Sequence, residues 1–348
     1  MSAGRRADSG TPREGSPRRS VVIPTHDTRE LTLACLRSVL GGDEHAVEEI
    51  VLVDDASRDG TADAVREQFP AITLLVLDTN RGFTHAVNEG ASRARGDHLV
   101  LLNSDTRVAP DALRRLSLTL DEHPELGAVG AQLFDPSGEL QWSAGRDPSA
   151  LWLFVMASGI ARHYARIPGL RRLRPAGGRH RAGPAPTLVD WVPATAMAVR
   201  REAWLALGGF DPAYALYAQD LDFCVRLRRA GFRVALEPRA RVTHHLGATI
   251  GASPDASADR VRLAALWLDL VRWAERSGGP TRARRARLAL EQGGRLRRLL
   301  DALLTPRAKR ADVDTARDRR VLAAALAALE REPRTEPIGA RVSAEPTE

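Results

Sequence analysis

Acidic side chains and a pair of histidines stand in four short groups whose residue types suit metal binding or proton transfer. These groups are Asp54-Asp55, Asn103-Ser104-Asp105, Asp220-Leu221-Asp222 and His244-His245. Carboxylate oxygens and imidazole nitrogens bind Mg²⁺ or Mn²⁺, and such a cation neutralises the charge of a diphosphate. A carboxylate within hydrogen-bond reach of a hydroxyl group also serves as a general base. The four groups therefore indicate metal-assisted chemistry on a phosphate-linked substrate, with a base at hand.

Each group also has an ordinary structural interpretation, and the residues alone leave both open. Asp54 and Asp55 suit hydrogen bonds from a pyrimidine imide or a ribose hydroxyl, but such a pair also begins a turn or caps a helix. The sequence Asn103-Ser104-Asp105 is equally typical of a simple turn. Asp220 stands at the start of a predicted helix, where it either caps the helix or acts as the base. His244 is either a metal ligand or an ordinary histidine.

In the first part of the chain, these groups follow apolar runs that alternate with helical stretches. The runs cover residues 20–23, 49–53, 72–77 and 98–102. This alternation is typical of βαβ units and predicts an α/β fold with a mostly parallel sheet flanked by helices. Ligands bind such sheets beyond the carboxyl ends of the strands, so we predict one binding rim from the polar residues that follow the runs. They are Pro24, Thr25, His26, Asp54, Asp55, Asn80, Arg81, Asn103, Ser104 and Asp105.

Composition changes along the chain and predicts five segments. Residues 1–19 form an Arg-rich arm and residues 331–348 a polar tail, both expected to be disordered. Residues 20–135 and 136–250 are predicted to be two halves of one α/β domain. Residues 251–330 are predicted to form a helical extension, broken at Ser277-Gly278-Gly279-Pro280 and near Thr305-Pro306.

The positive charge of the chain is clustered. The 348 residues carry a formal net charge of +7, with seven arginines and no acid in 162–181 and twelve Lys/Arg against three acids in 272–310. Such clusters suit phosphate groups on nucleotides, lipids or nucleic acids. They lie outside the motif-bearing region and lack interleaved aromatic residues, so we predict no nucleic-acid binding.

Several features bear on where the protein works. No apolar run approaches the ~20 residues of a membrane span, and no secretory signal is evident. Cys35 and Cys224 are predicted to be buried, reduced thiols, which favours a cytoplasmic protein. The apolar stretch Ala150–Ala161 and the leucines among the C-terminal arginines favour peripheral association with the anionic inner face of the cell membrane. Alternatively, these leucines pack onto the α/β domain and the arginines are only solvated.

In order and spacing, the motifs over about residues 20–250 resemble those of the family 2 glycosyltransferases, which are inverting enzymes of the GT-A fold. The matching stretches are Val21 to Asp27, Val53-Asp54-Asp55-Ala56-Ser57, Asn80-Arg81-Gly82-Phe83 with Asn88-Glu89-Gly90, Leu102-Asn103-Ser104-Asp105-Thr106, Gly208-Gly209-Phe210-Asp211 with Gln219-Asp220-Leu221-Asp222, Arg228 to Gly231, and Val242-Thr243-His244-His245.

The resemblance implies a role for each part of the rim. Asp55 contacts the pyrimidine base of the donor, and Pro24 and Thr25 support the nucleotide. Asp105 binds Mg²⁺ or Mn²⁺ with help from His244. Asp220 is the general base, with Asp222 as the next candidate. The rest of the implied nucleotide-binding set is His26, Asp54, Asn80, Gly82, Asn103 and Ser104.

The resemblance also implies the substrates. The donor is a nucleotide diphosphate sugar and the acceptor a hydroxyl of a glycan or a lipid-linked glycan in cell-envelope synthesis. The first half of the domain would bind the donor and the second half the acceptor. The Leu-Asn-Ser-Asp-Thr form at residues 102–106 is familiar among rhamnosyltransferase-like members and favours a dTDP- or UDP-linked donor, with dTDP-rhamnose as the first expectation.

Three positions depart from the family pattern. His26 replaces an aromatic residue, Gln219 replaces a glutamate, and Ala194-Thr195 replaces Gly-Ala. The loss of a like charge at Gln219 favours a lower pKa for Asp220 than a glutamate would give. Gln219 also leaves open a degenerate protein that binds nucleotide sugars without turnover. A nicotinamide-binding Rossmann enzyme is disfavoured because no Gly-x-Gly-x-x-Gly follows the first apolar run.

Overall fold

The computed structural model describes residues 18–42, 47–160, 183, 185–214, 217–245 and 256–304. The chain divides into two compact units. The first contains residues 1–148 and 175–255, and the second contains residues 149–174 and 256–348. The predicted terminal segments, apart from Arg18 and Arg19, the Arg cluster at 162–181 and the break near Thr305-Pro306 lie outside the described residues.

One mixed sheet forms the centre of the first unit. Its described strands are β1 (Arg19–Thr25), β2 (Glu49–Asp54), β3 (Thr73–Val76), β4 (His98–Leu102), β5 (Thr106–Val108), β6 (Leu126–Phe134), β7 (Thr187–Val189), β8 (Ala196–Arg200) and β9 (Arg233–His244). The strand order is β3-β2-β1-β4-β8-β6-β9-β5, with β7 also paired to β9. The predicted α/β class with a mostly parallel sheet is confirmed.

The first four strands in the chain pair in parallel, while the later ones are mixed. Strand β1 pairs in parallel with both β2 and β4, and β2 pairs with β3 in the same sense. Strand β8 is antiparallel to β4 and β6, and β9 is parallel to β6 but antiparallel to β5 and β7. The carboxyl ends of β1, β2 and β4 therefore meet at one edge of the sheet.

Helices cover both faces of this sheet. The described helices of the first unit are α1 (Arg29–Leu40), α2 (Thr61–Gln68), α3 (Phe83–Arg93), α4 (Ala112–Glu122), α6 (Arg201–Leu207) and α7 (Gln219–Arg229). Successive strand residues point to opposite faces, so Val21 joins a core with Leu36 of α1, while Val22 joins a second core with Phe223 of α7. The predicted buried thiols are confirmed, because Cys35 and Cys224 are free and buried.

Close packing explains one of the glycines in the family motifs. Helix α3 crosses β1 and β2 at Gly90, where an added Cβ would stand 2.5 Å from a methyl of Val22 and 2.9 Å from one of Val53. These distances are shorter than any ordinary carbon contact, so only glycine lets the helix approach this closely. Because α3 follows the loop at residues 80–82, this packing also fixes the loop beside the carboxyl end of β2.

The second unit contains α5 (Ala150–Ser158) and the helical run α8 (Ala256–Leu304). Helix α5 packs on α8, and Gly293 of α8 comes so close that an added Cβ would stand 2.8 Å from the Cβ of Ala157. Gly279 interrupts α8 with φ 75° and ψ −176°, directly before Pro280. The break predicted at 277–280 is therefore present. Among the described residues, no helix is both long and apolar enough to pass through a bilayer.

Three details of the fold differ from the sequence-based expectation. Strand β1 begins at Arg19, which we had assigned to the arm. The sequence indicates two separate apolar runs at 232–236 and 240–244, but both belong to one strand, β9, whose pairing with β6 shifts register between Glu237 and Arg241. The short strand β5 follows Asp105 directly and pairs with the end of β9, which was not predicted.

Candidate active site

The rim residue Asp55 joins two neighbouring connections at the carboxyl end of β2. Its two carboxylate oxygens accept hydrogen bonds from the backbone N–H groups of Arg81 and Gly82, each at 2.8 Å. The side-chain oxygen of Asn80 also accepts from the Gly82 N–H at 3.1 Å. Each carboxylate oxygen keeps a second lone pair. Asp55 is thus buried and fixed, with accepting capacity left for a ligand.

Asp54 and His26 lie on either side of Asp55. One oxygen of Asp54 accepts from the Ser57 N–H at 2.7 Å, while its other oxygen, Oδ2, has no partner among the described residues. Nδ1 of His26 hydrogen-bonds the backbone carbonyl of Asp55 at 2.7 Å, and its ring is partly exposed. The imidazole is therefore fixed at the rim. In the family that the motifs resemble, this position has an aromatic ring.

The end of β1 contributes to the interior more than to the rim. Pro24 and Thr25 are buried. The Thr25 hydroxyl hydrogen-bonds the hydroxyls of Thr28 and Thr32 at 2.9 and 2.7 Å, and Thr28 in turn contacts the hydroxyl of Ser104 at 3.2 Å. This hydroxyl chain ties α1 to the connection after β4. A contact between this segment and a nucleotide would therefore be made by Pro24 and the surface at the end of β1. It would not be made by an exposed polar side chain.

Asp105 and His244, the two predicted metal ligands, lie side by side. Oδ1 of Asp105 is 3.4 Å from Nε2 of His244, and both residues are buried. The contact arises because β5 pairs with the end of β9, with Thr106 opposite His244, and because the His245 N–H donates to the Asp105 carbonyl at 2.9 Å. Two adjacent ligands of an octahedral ion at about 2.1 Å stand roughly 3 Å apart, so this spacing fits a small divalent cation.

Gln141 orients the imidazole of His244. Its Oε1 lies 2.9 Å from Nδ1 of His244, and its Nε2 donates to the backbone carbonyl of the same histidine at 2.8 Å. An amide oxygen only accepts, so Nδ1 donates to Gln141, and Nε2 is the ring nitrogen that faces Asp105. Partners of this kind set the orientation and basicity of metal-binding histidines. No sequence pattern pointed to Gln141, which stands in a stretch without regular apolar periodicity.

The described residues provide only two protein ligands at this point. No group of three or more His, Cys, Asp or Glu side chains is assembled anywhere in the described part of the chain. A cation held by Asp105 and His244 would complete its coordination with waters and substrate phosphates, as Mg²⁺ commonly does. The donor set is therefore typical of a metal that binds together with a phosphorylated ligand.

Asp220 lies at the start of α7 and is only partly exposed. Desolvation of the carboxylate raises the pKa of Asp220 above the ordinary value of 3.8, and backbone N–H donors oppose that rise. Oδ2 accepts from the Ala194 N–H at 3.2 Å and Oδ1 from the Leu221 N–H at 2.7 Å. A carboxylate that is held in place and partly desolvated has the properties of a general base.

One short segment links the metal-ligand pair to this carboxylate. The Asn103 N–H, two residues before Asp105, donates to the carbonyl of Thr195 at 3.0 Å. The preceding residue, Ala194, donates to Asp220. The Ala194-Thr195 departure from the family pattern therefore lies between the two halves of the site. The side-chain oxygen Oδ1 of Asn103 is buried without a partner among the described residues.

Asp222 and Gln219 have different surroundings from Asp220. Asp222 accepts from Nε of Arg226 at 2.7 Å, and Arg226 also donates to the carbonyls of Leu207 and Gly209. These contacts give Asp222 a role in holding α7 against the turn after α6. Gln219 is buried, and its Oε1 lacks a partner within the described residues. An unsatisfied buried amide beside Asp220 is a candidate contact for a substrate hydroxyl.

Other residues of the family motifs hold the site together. Asn88 of α3 makes two hydrogen bonds to the backbone of Phe210: Nδ2 donates to its carbonyl at 2.8 Å and Oδ1 accepts from its N–H at 3.0 Å. The hydroxyl of Thr84 donates to the Tyr214 carbonyl. Helix α3 thereby fixes the Gly-Gly-Phe-Asp turn that precedes Asp220, so these motif residues have a structural function.

Comparison with known proteins agrees with this architecture. Residues 20–179 match the family model described as "Glycosyl transferase family 2". The N-acetylglucosaminyl-diphospho-decaprenol L-rhamnosyltransferase of Mycobacterium tuberculosis is 29% identical over 216 residues, which cover 59% of this chain and 69% of that protein. The O-antigen biosynthesis protein RfbC of Myxococcus xanthus is 28% identical over 253 residues, but these cover only 19% of its length and 71% of this chain.

Solved structures show the same fold. The mannosyltransferase PcManGT from Pyrobaculum calidifontis, in complex with GDP-Man and Mn²⁺, superposes with a TM-score of 0.54 at 19% identity, covering 92% of this chain and 89% of that one. GalNAc-T7 with UDP, GalNAc and Mn²⁺ gives a TM-score of 0.51 at 17% identity, with 84% and 59% covered. The first unit therefore has the GT-A fold.

Proposed function

Because residues 20–179 match the model of the family 2 glycosyltransferases, we propose that this protein is an inverting, metal-dependent enzyme that transfers a sugar from a nucleotide diphosphate to an acceptor hydroxyl. The observation that carries the proposal is the pairing of Asp105 with His244 at 3.4 Å. The Ala194-Thr195 segment connects this pair to Asp220 through two hydrogen bonds.

The arrangement divides the reaction between two sides of the site. Asp55 and the loop at residues 80–82 would bind the nucleoside part of the donor. Asp105 and His244 would hold Mg²⁺ or Mn²⁺, which neutralises the negative charge that develops on the leaving diphosphate. Asp220 would accept the proton of the attacking hydroxyl, and its raised pKa strengthens it as a base. A single displacement inverts the configuration at the sugar carbon.

Several residues are proposed to contact the donor directly. Asn103 and Gln219 present buried oxygen atoms that lack partners among the described residues, and hydroxyl groups of the sugar would satisfy them. We assign His26 to the edge of the base and Asp54 and Ser104 to supporting positions. The first candidate donor is dTDP-rhamnose, on the strength of the motif at residues 102–106 and of the mycobacterial relative's name.

The proposed acceptor is a lipid-linked glycan of cell-envelope synthesis. The name of the mycobacterial relative specifies an N-acetylglucosaminyl diphospho-lipid, and that of the Myxococcus relative specifies O-antigen biosynthesis. An acceptor of this kind combines a sugar hydroxyl with a diphosphate and a prenyl chain. The reaction would therefore take place at the cytoplasmic face of the cell membrane.

A donor screen in the presence of Mn²⁺ tests the function. Purified protein is offered UDP-, GDP- and dTDP-sugars, and both donor hydrolysis and thermal stabilisation are measured. We expect one nucleotide class to be hydrolysed slowly and EDTA to abolish the activity. Asp105→Asn should lose the Mn²⁺ dependence and the activity, whereas Asp63→Asn, at an exposed carboxylate on α2, should retain both. Full activity in EDTA would refute the metal assignment.

The degenerate alternative rests on Gln219, which removes the glutamate of the family. It predicts that a nucleotide sugar raises the melting temperature without being hydrolysed. The variant Gln219→Glu distinguishes an active enzyme from a protein that binds nucleotide sugars without turnover. If this variant gains activity that the natural sequence lacks, the protein is a binding protein derived from an enzyme. If the natural sequence already turns over its donor, this alternative is excluded.

Peripheral membrane binding is proposed for the second unit. Leu151 of α5 is 72% exposed, and Leu288 and Leu299 of α8 are 54% and 55% exposed. Exposed arginines lie beside them in α8, at positions 284, 285, 295 and 298. Leu290, by contrast, is fully buried, so the leucines of this helix do not share one environment. Apolar and cationic side chains together suit an anionic lipid surface.

Liposome flotation tests the membrane proposal. The protein should float with phosphatidylglycerol vesicles at low salt and dissociate at high salt, because each engaged arginine contributes ~1 kcal/mol of screened attraction. Leu288→Asp should weaken flotation, whereas Leu205→Asp, at a leucine of α6 with the same exposure of 54%, should not. Point variants are preferable to truncation because α5 packs on α8. Absence of flotation at low salt would refute the proposal.

A further inference from the structure

A small cavity opens beside β5, at one end of the sheet in the first unit. Its volume is about 240 Å³, and its lining includes Arg107, Phe134, Arg241, Thr243 and part of the turn at residues 135–138. Pockets that enclose a whole drug-sized ligand have about 300–1,000 Å³. The cavity therefore has the size for a small chemical group and not for a complete nucleotide sugar.

Strand pairing places the two arginines of this cavity on one face of the sheet. Arg107 of β5 lies opposite Thr243 of β9, and Phe134 of β6 lies opposite the same threonine on its other side. Arg241 stands two residues before Thr243, so its side chain points to the same face. It is the diagonal neighbour of Arg107, and such neighbours stand about 7–8 Å apart. Two side chains as long as arginine can therefore reach one anion between them.

The cavity is separate from the proposed metal site, although it lies close to it in the chain. His244 pairs with Thr106, one position away from the pair formed by Arg107 and Thr243. Successive strand residues point to opposite faces, and Val108 and Val242 accordingly join the core on the side of α1 and α4. A group bound by the two arginines would therefore lie on the other face of β5 and β9 from the imidazole of His244.

Both arginines keep their hydrogen-bond donors available. The guanidinium of Arg241 stacks on the ring of Phe134, with its central carbon 3.9 Å from the ring centroid. Stacking occupies the face of the guanidinium and leaves the N–H groups, which lie in its plane, directed outward. Within the described residues, neither the Arg107 nor the Arg241 guanidinium forms an ion pair or a hydrogen bond. Two exposed cations without acidic partners thus meet at one cavity.

One acidic residue, Asp135, also lines the cavity. Its Oδ1 accepts hydrogen bonds from the Ser137 N–H at 2.9 Å, the Ser137 hydroxyl at 2.6 Å and the Glu139 N–H at 2.9 Å. This carboxylate therefore closes its own turn instead of pairing with an arginine. With two arginines against one aspartate, the lining keeps a net positive charge, which favours an anion as the occupant.

We infer that this cavity binds a diphosphate group, without a metal ion and separately from the Asp105–His244 pair. Guanidinium groups bind phosphate oxygens through pairs of parallel hydrogen bonds, and the hydroxyl of Thr243 stands beside them. The diphosphate is either that of a lipid-linked acceptor or a free diphosphate. The first source rests on the proposed glycosyltransferase function, whereas the site itself does not.

Calorimetric titration with inorganic pyrophosphate in EDTA tests the site without metal or turnover. We expect the natural protein to bind pyrophosphate and Arg107→Gln to bind it about tenfold more weakly, because contacts to a charged group are lost. Arg107→Lys keeps the charge but not the planar fork, so its affinity should lie between those two. Arg93→Gln, at an exposed arginine in the last turn of α3, and Asp105→Asn should both bind like the natural protein. Melting temperatures confirm that each variant is folded.

Three results would overturn the inference. They are no binding to the natural protein, equal affinities of Arg107→Gln and Arg93→Gln, and a loss of binding in Asp105→Asn, which would place the pyrophosphate at the metal pair. Donor hydrolysis by the natural protein is measured in Mn²⁺ in parallel. Its absence would count against the proposed function alone, because pyrophosphate binding in EDTA does not depend on turnover.

Acceptor kinetics then identify the source of the diphosphate. The two acceptors compared are N-acetylglucosaminyl diphosphate on a short prenol and octyl N-acetylglucosaminide, which lacks the diphosphate. If the acceptor supplies the group, Arg107→Gln should raise the KM of the first about tenfold and leave the KM of the second unchanged. If pyrophosphate binding is weakened while both KM values stay the same, the cavity binds free diphosphate.

Discussion

Gln141 offers a sharp test of the proposed metal site, because its only described side-chain contacts are to His244. Replacing it by methionine keeps the length and approximate volume of the side chain and removes both hydrogen bonds, at 2.9 Å to Nδ1 and 2.8 Å to the backbone carbonyl. The imidazole is then free to rotate and to place its proton on Nε2. In that tautomer Nε2 has no lone pair for a cation.

Two independent arguments give the size of the effect. Each neutral hydrogen bond contributes about 0.5 to 1.5 kcal/mol, so the pair contributes roughly 1 to 3 kcal/mol to the position of the histidine. Removal of a group that orients a metal-binding histidine typically lowers metal affinity 10- to 100-fold, which is about 1.4 to 2.7 kcal/mol. The two ranges agree. We therefore expect Gln141→Met to raise the half-saturating Mn²⁺ concentration by about 10- to 100-fold.

The assay is a Mn²⁺ titration of donor hydrolysis at saturating donor. Activity of Gln141→Met should approach that of the natural protein at high Mn²⁺. Gln141→Glu keeps an acceptor for Nδ1 and should bind Mn²⁺ much more tightly than the methionine variant. Gln132→Met is a matched control, because Gln132 is a buried glutamine that donates to Ser143 at 2.6 Å and, among the described hydrogen bonds, makes none to His244. An unchanged Mn²⁺ curve for Gln141→Met would refute the reasoning.

Four further predictions concern α7. Asp220→Asn should lower kcat of transfer about 100-fold or more with little change in donor affinity, as measured by steady-state kinetics; near-native turnover would move the base elsewhere. Because burial raises the pKa of Asp220, kcat/KM should decline on acidification at a higher pH than an ordinary aspartate would give. The free energy of unfolding of the natural protein, relative to the Asn variant, should increase as the pH falls through that raised pKa, since the folded state then binds the extra proton. Urea unfolding at several pH values measures this difference. If the difference between the two proteins does not change with pH, the prediction is contradicted. Arg226→Met leaves Asp222 unpaired and two carbonyls without a donor, so it should cost about 3 kcal/mol in urea unfolding. Arg93→Met, at an exposed arginine in the last turn of α3, should cost much less, and equal effects of the two variants would contradict this.

The parallel part of the fold was predictable because its strands are buried on both faces. Such strands are continuous apolar runs in the sequence, and β1, β2 and β4 fall within a residue or two of the runs that predicted them. The rule that ligands bind beyond their carboxyl ends then located the rim. Strand β9 was harder, because Glu237-Pro238-Arg239 interrupts its apolar pattern. Glu237 is buried there through hydrogen bonds to Thr119 and Arg239, which periodicity cannot reveal.

The site itself was only partly predictable, because pairing between distant segments decides which residues meet. Asp105 and His244 could be nominated from a motif, but their contact depends on β5, a strand of three residues. Gln141 carries no signal at all, since an isolated glutamine in an irregular stretch has many possible uses. Motif residues such as Asn88 and Gly90 show the converse difficulty, because a place in a motif does not reveal what the residue does. In this structure they serve packing and backbone support.

The second unit has a consequence for the order of folding. Helix α5 is made early, yet its packing partner α8 begins about 100 residues later in the chain, a distance that a ribosome covers in roughly 5 to 20 seconds. During that interval β7, β8 and β9 are synthesised and complete the first unit, while the apolar surface of α5 is still without its packing partner. Nascent chains halted just after β9 should therefore expose α5 to chaperones, and should lose that exposure once α8 has emerged.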